Sequence, residues 1–135
     1  MRFLAALLVV LSAGTAWADC PMDLGRGRGS GWVIFSEHYL ISFRPEPAPI
    51  EVGRPFSLLL NVCTKANSPA ELIAVDAQMP EHKHGMYYRP TIEAGAEGRY
   101  RVDGLVFHMP GRWELSLDVR AGEESERLTH DFILK

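Results

Sequence analysis

The sequence predicts an all-β protein: an immunoglobulin-like β-sandwich of about seven antiparallel strands, preceded by a signal peptide. Three observations carry this. Short aromatic and β-branched runs recur between Pro- and Gly-containing turns. Residues 113–120 alternate cleanly, with Trp113, Leu115, Leu117 and Val119 on one face. No segment after the first eighteen residues has a helical period. A small closed barrel is the alternative architecture.

The chain opens with Met1 and Arg2, then an apolar run from Phe3 to Leu11, then Ala16-Trp17-Ala18. A positive start, a short apolar stretch and small residues at the positions a signal peptidase inspects identify 1–18 as a cleavable export signal. The run is too short for a permanent membrane helix, and Asp19 before Cys20 does not suit a lipid-attached cysteine. The mature protein is therefore expected to be soluble, in the periplasm or secreted. Residues 19–31 read as a flexible Gly- and Arg-rich leader. Their GRGRGSG stretch lacks the Gly-Lys-Ser/Thr ending of a phosphate loop.

Residues 32–135 form the domain. Strands are expected over 33–43, 56–63, 72–79, 87–93, 99–108, 113–120 and 128–134. The breaks fall at Glu46-Pro47-Ala48-Pro49, at 64–69, at the Gly-rich 94–98 and at Pro110-Gly111. Cys20 and Cys63 are the only cysteines. In an exported chain they most simply form a disulfide, contributing about 3–4 kcal/mol in the chain-entropy model. The alternative, a ligand or redox pair, lacks a CxxC spacing. With 14 Lys+Arg against 17 Asp+Glu, the chain has no basic stripe for a nucleic-acid partner.

Soft and imidazole side chains concentrate in two turns. One is Met79-Pro80-Glu81-His82-Lys83-His84-Gly85-Met86, the other His108-Met109-Pro110-Gly111. Methionine is rarely placed in a Pro- and Gly-punctuated loop for packing alone; the plainer alternative has Met79 as the last core residue of its strand and Met109 packed under Trp113. If 72–79, 87–93 and 99–107 run as antiparallel neighbours, the two turns share one end of the domain. The disulfide then sits at the other. In extended backbone His82 and His84, two residues apart, point to one side. Such a pair can share an ion, with His108 or Met109 closing the site and Met86 and Met79 as further donors. Thioether sulfur adds little for zinc but suits Cu(I), so the mixed set favours copper. His38 and His130 stand alone and read as structural or exposed residues.

Enzyme signatures are absent: there is no GxSxG, HExxH or catalytic Cys/His pattern. Glu81 could assist a metal-bound water, and Tyr87, Tyr88, Arg89 and Arg112 could form an anion- or partner-binding face at the same end.

The run DAQMPEHKHGM with YYRP, followed by GRYRVDGLVFHMPGRWELSLDV, resembles the YtkA-like domain family, related in pattern to FixH. The likeness spans about residues 39–132. It implies an immunoglobulin-like sandwich and an association with copper handling and respiratory oxidase assembly. In its logic, though not its sequence, the chain also resembles periplasmic copper chaperones. Those of the PCuAC type space their ligands as His-x-Met, whereas His108 and Met109 are adjacent here. The expected function is thus a periplasmic copper carrier or chaperone that passes its ion to a protein partner. The alternative is a non-metal interaction module docking on a membrane or periplasmic partner. A zinc-dependent enzyme, needing three non-sulfur ligands and an open cleft, ranks last.

Overall fold

A computed structural model describes residue 20 and residues 31–135. The signal segment 1–18 and all of the leader except Cys20 and Gly31 lie outside the described residues. Nine strands make up the domain: β1 (Trp32–Phe35), β2 (Tyr39–Glu46), β3 (Phe56–Thr64), β4 (Glu71–Met79), β5 (His84–Gly85), β6 (Thr91–Ala94), β7 (Arg99–Leu105), β8 (Gly111–Ala121) and β9 (Glu124–Leu134). They form two antiparallel sheets, one ordered β1-β2-β3-β7-β6 and one ordered β5-β4-β8-β9. This is the expected sandwich, with no helix among the described residues. The edge strands β1 and β9 approach through rings, Trp32 meeting Phe132 at 5.3 Å, but do not pair as a barrel requires.

The strand pattern follows from side-chain alternation. In β8, Trp113, Leu115, Leu117 and Val119 all face inward and are fully buried. Tyr39, Ile41 and Phe43 of β2 and Leu58, Leu60 and Val62 of β3 supply the facing layer. In β4 the inward phase shifts between Leu72 and Val75, where the pairing with β8 slips by one residue. Aromatic contacts between the sheets, Phe43 with Phe132 at 6.3 Å and Phe107 with Trp113 at 4.8 Å, close the core.

Four expectations need correction. The run 33–43 is a hairpin of two strands, turned at Ser36, whose hydroxyl accepts from the Tyr39 backbone N–H at 3.2 Å. The expected strand 87–93 shortens to Thr91–Ala94, because Pro90 lacks the N–H that a ladder needs. The turn after Met79 contains the short strand β5, which folds back on β4 with Met79 opposite His84. Nor are 72–79 and 87–93 sheet neighbours, since the chain crosses from one sheet to the other between β5 and β6. The end assignment survives the crossing. Gln78 near the end of β4 pairs with Glu114 near the start of β8, so the turns after β4 and before β8 meet.

The opposite end holds the disulfide. Cys20 and Cys63 are bridged with Cα atoms 5.8 Å apart. Beside them Gly98, at φ +78°, lies so close that a Cβ would come 2.6 Å from the Val62 carbonyl oxygen. A disulfide fits an oxidising, extracellular compartment. None of the helices sought among the described residues is long and apolar enough to cross a membrane.

Reducing the Cys20–Cys63 bridge, whose sequence separation is 43 residues, removes the constraint on the unfolded chain. Urea unfolding with and without reductant should differ by about 3–4 kcal/mol. Coincident curves would show that the bridge does not restrain the chain.

Candidate metal centre

Local chain geometry assembles the His-rich end. Pro80 stops β4, and the His82 backbone N–H donates to the Met79 carbonyl at 3.1 Å, closing a tight turn. Lys83 then adopts a left-handed conformation, φ +51°. That reverses the chain so that His84 pairs back with Met79 and the Met86 N–H reaches the Ala77 carbonyl at 3.4 Å. His82 and His84 are therefore not carried on extended backbone as the spacing alone suggested. The turn nevertheless leaves their rings stacked, centroids 5.7 Å apart and planes 29° apart.

His108 arrives from the other sheet, just after β7. Its ring stacks on His84 at 5.3 Å and 27°. Tyr87 stacks on the far face of this ladder, 4.0 Å from His108 and at 21°. Trp113 forms the floor: its ring meets His108 at 5.2 Å and His84 at 6.3 Å, both nearly edge-on. Consecutive rings thus stack pairwise: His82 on His84, His84 on His108, and His108 on Tyr87.

The methionines are placed differently. Met79 is completely buried, and its Cε would lie 2.8 Å from a Cβ on Gly111. Met86 and Met109 are half-buried and pack against the core. The Met109 carbonyl accepts from Trp113 Nε1 at 3.0 Å. Of the six residues expected as ligands, the structure brings the three imidazoles into contact and uses the thioethers as packing beneath and beside them.

Hydrogen bonding around the rings is incomplete. His84 Nε2 and both ring nitrogens of His108 are buried and have no hydrogen-bond partner. A buried polar group left unpaired costs about 1–3 kcal/mol. Among the described residues, no group of three or more His, Cys, Asp and Glu side chains is arranged to hold a metal ion as it stands. The rings lie parallel instead of converging. The two neighbouring separations, 5.7 and 5.3 Å, compare with about 5–6 Å for a pair of imidazoles sharing one ion through metal–nitrogen bonds near 2 Å in length. To share one ion, His82 and His108 must close in on His84, which lies between them in the stack.

Two expected roles are taken by other contacts. Arg112 donates from Nε to Glu81 at 2.7 Å and from Nη1 to Asp131 at 3.1 Å. It ties the turn carrying His82 to β9 and is not a free anion ligand. The Arg112 guanidinium also holds the Glu81 carboxyl below its ordinary range, so Glu81 is an ion-pair partner and not a poised base. The floor under the imidazoles was not foreseen. Its signal lay in the spacing His108-x4-Trp113, which puts an indole at the start of the next strand.

The remaining histidines lie elsewhere. His130 occupies an inward position of β9 between Phe43 at 5.1 Å and Phe132 at 4.9 Å, and burial lowers its pKa. His38 pairs with Glu126, and this hydrogen bond raises the imidazole pKa from its ordinary 6.5. A raised folded-state pKa contributes stability below 6.5 that is lost as pH rises through the folded value. Between pH 6 and 8 the urea midpoint should therefore fall more in the wild type than in His38→Gln. Parallel pH profiles would remove the ion pair from the stability account.

His108→Phe keeps the ring stack while removing two unpaired nitrogens. It should raise the free energy of unfolding by about 1–2 kcal/mol, measured by urea titration without metal. A loss of stability would mean that these nitrogens are satisfied in solution. No family model, curated protein or solved structure matches the chain, so what this end of the sandwich does must be inferred from its own residues.

Proposed function

We propose that the protein is an exported copper-binding carrier whose ion is held by His82, His84 and His108 and passed to a protein partner. The observation that carries this reading is the set of three buried imidazole nitrogens without hydrogen-bond partners, in rings 5.3 Å apart. Such atoms are destabilising in the empty protein, and a cation that accepts one lone pair from each neutral imidazole satisfies His84 Nε2 and one of the two His108 nitrogens. Imidazole serves copper and zinc alike. The thioethers of Met86 and Met109, packed at the same end, tilt the choice towards Cu(I), the softer ion. Met79 lies deepest and would add a donor only after a shift of its buried side chain.

A site built on two turns, partly open to solvent, suits release as well as capture. The disulfide supports placement in an oxidising compartment, which for an exported chain is the periplasm or the exterior. The resemblance to YtkA-like domains points the same way, towards copper delivery in respiratory oxidase assembly. A second reading has its own observation: Tyr87 and Tyr88 are 77 % and 66 % exposed, as in a docking surface. On that reading the end of the sandwich is an interaction module and the histidines carry no metal.

Anaerobic titration with Cu(I) against a competing chelator separates the two. One ion should bind per chain, and a His82→Ala/His84→Ala double variant should lose it. Binding no tighter than nonspecific, or unchanged in the double variant, leaves the interaction module as the better account.

A further inference from the structure

Resting on the reading of this end as a metal centre, the geometry points to Tyr87 as a removable cover. Its ring stacks on His108 and holds that imidazole in the parallel orientation, out of which it must turn to share an ion with His84.

His108 is enclosed by rings on three sides. His84 lies against one face at 5.3 Å, Tyr87 against the other at 4.0 Å, and Trp113 meets it edge-on at 5.2 Å. Both ring nitrogens of His108 are out of contact with solvent. The three covers differ in what holds them. Trp113 has no exposed surface, stacks on Phe107 at 4.8 Å and is anchored through its indole N–H. His84 is fixed by the pairing of β5 with β4. Tyr87 lies between β5 and β6, outside any strand, and is 77 % exposed. Of the three it alone can swing away without breaking a sheet or opening the core. Such a loop motion needs only the loss of one aromatic stack.

The cover has a thermodynamic consequence. While Tyr87 is stacked, His108 is held in an orientation that does not converge with His84 on one ion. Apparent affinity is then reduced by the fraction of molecules that are closed. The same ring slows ion loss when it returns over a loaded site, and a partner that engages Tyr87 could open the site for transfer. The phenol hydroxyl plays no part, since the stack depends on the ring alone. Tyr87→Phe should therefore behave as the wild type, and Tyr87→Ala as a permanently open site. Because Tyr87 is mostly exposed, the alanine variant does not threaten folding.

Two measurements on the purified protein test this. The first is the rate and affinity of Cu(I) uptake from its bicinchoninate complex. The second, without metal, is the rate of carbethoxylation at His108 by diethyl pyrocarbonate, followed by peptide mass. Tyr87→Ala should raise both the Cu(I) affinity and the His108 modification rate about three- to tenfold, the worth of one aromatic pair expressed as a ratio. Tyr87→Phe should change neither. Equal modification rates in wild type and Tyr87→Ala overturn the cover, as does weaker Cu(I) binding in the alanine variant. If no protein takes up Cu(I) but Tyr87→Ala still exposes His108 to the reagent, the carrier reading falls and the cover stands.

Discussion

Trp113 is the contact on which the candidate centre depends. It is the first fully buried residue of β8, and Phe107, in the connection from β7, lies on its face, 4.8 Å away and nearly parallel. Its indole N–H is bonded to the Met109 carbonyl, so the same ring that closes the core fixes the path of residues 108–110. Met79, the residue opposite His84, is buried beside the start of β8, where Gly111 provides the room. Core packing and the placement of His84 and His108 are therefore one arrangement. A smaller residue at 113 would create a cavity and release both imidazole-bearing turns together.

That arrangement holds a conflict between stability and chemistry. A core boundary of this kind is most stable when apolar rings fill it. Three imidazoles in a row satisfy the shape requirement, yet they leave nitrogens buried and unpaired. Sites where local rules are broken without a compensating contact are where function is expected to reside. The neighbouring polar groups show the contrast. Arg112 is fully engaged by Glu81 and Asp131, Arg101 by Glu46 and Asp103, and Arg127 by Asp118. Among the described residues, the buried side-chain nitrogens and oxygens that lack a hydrogen-bond partner belong to His84 and His108.

Much of this was legible in the sequence, for identifiable reasons. The alternation in β8 is a period-2 signal with large apolar residues, and every expected inward residue is buried. The meeting of the two His-containing turns needed only antiparallel pairing, and it held although β4 and β6 belong to different sheets. What escaped was local. Lys83 carries a left-handed backbone without being glycine or asparagine, so the spacing of His82 and His84 wrongly implied extended chain. The stacking of Tyr87 on His108 joins residues 21 apart in sequence through a loop with no repeating pattern. Methionine identity suggested ligands, whereas Met79 in particular is spent on filling the core.

The placement of the disulfide completes the physical picture. Cys63 lies where β3 meets the start of β7, and His108 follows the end of β7, so the length of a strand separates the covalent restraint from the imidazoles. Around the bridge the backbone is tightly set: the Val62 N–H bonds to the Gly98 carbonyl at 2.8 Å, and Gly98 tolerates no side chain. Restraint of the unfolded chain stabilises the whole domain wherever the bridge is located. The opposite end can then carry a cost of unpaired nitrogens and a loop held by a single ring stack without endangering the fold. Local opening free energies vary across a domain, and segments that must exchange a ligand belong at the low end of that range. A bridge beside the imidazoles would have stiffened the turns that capture and release require to move.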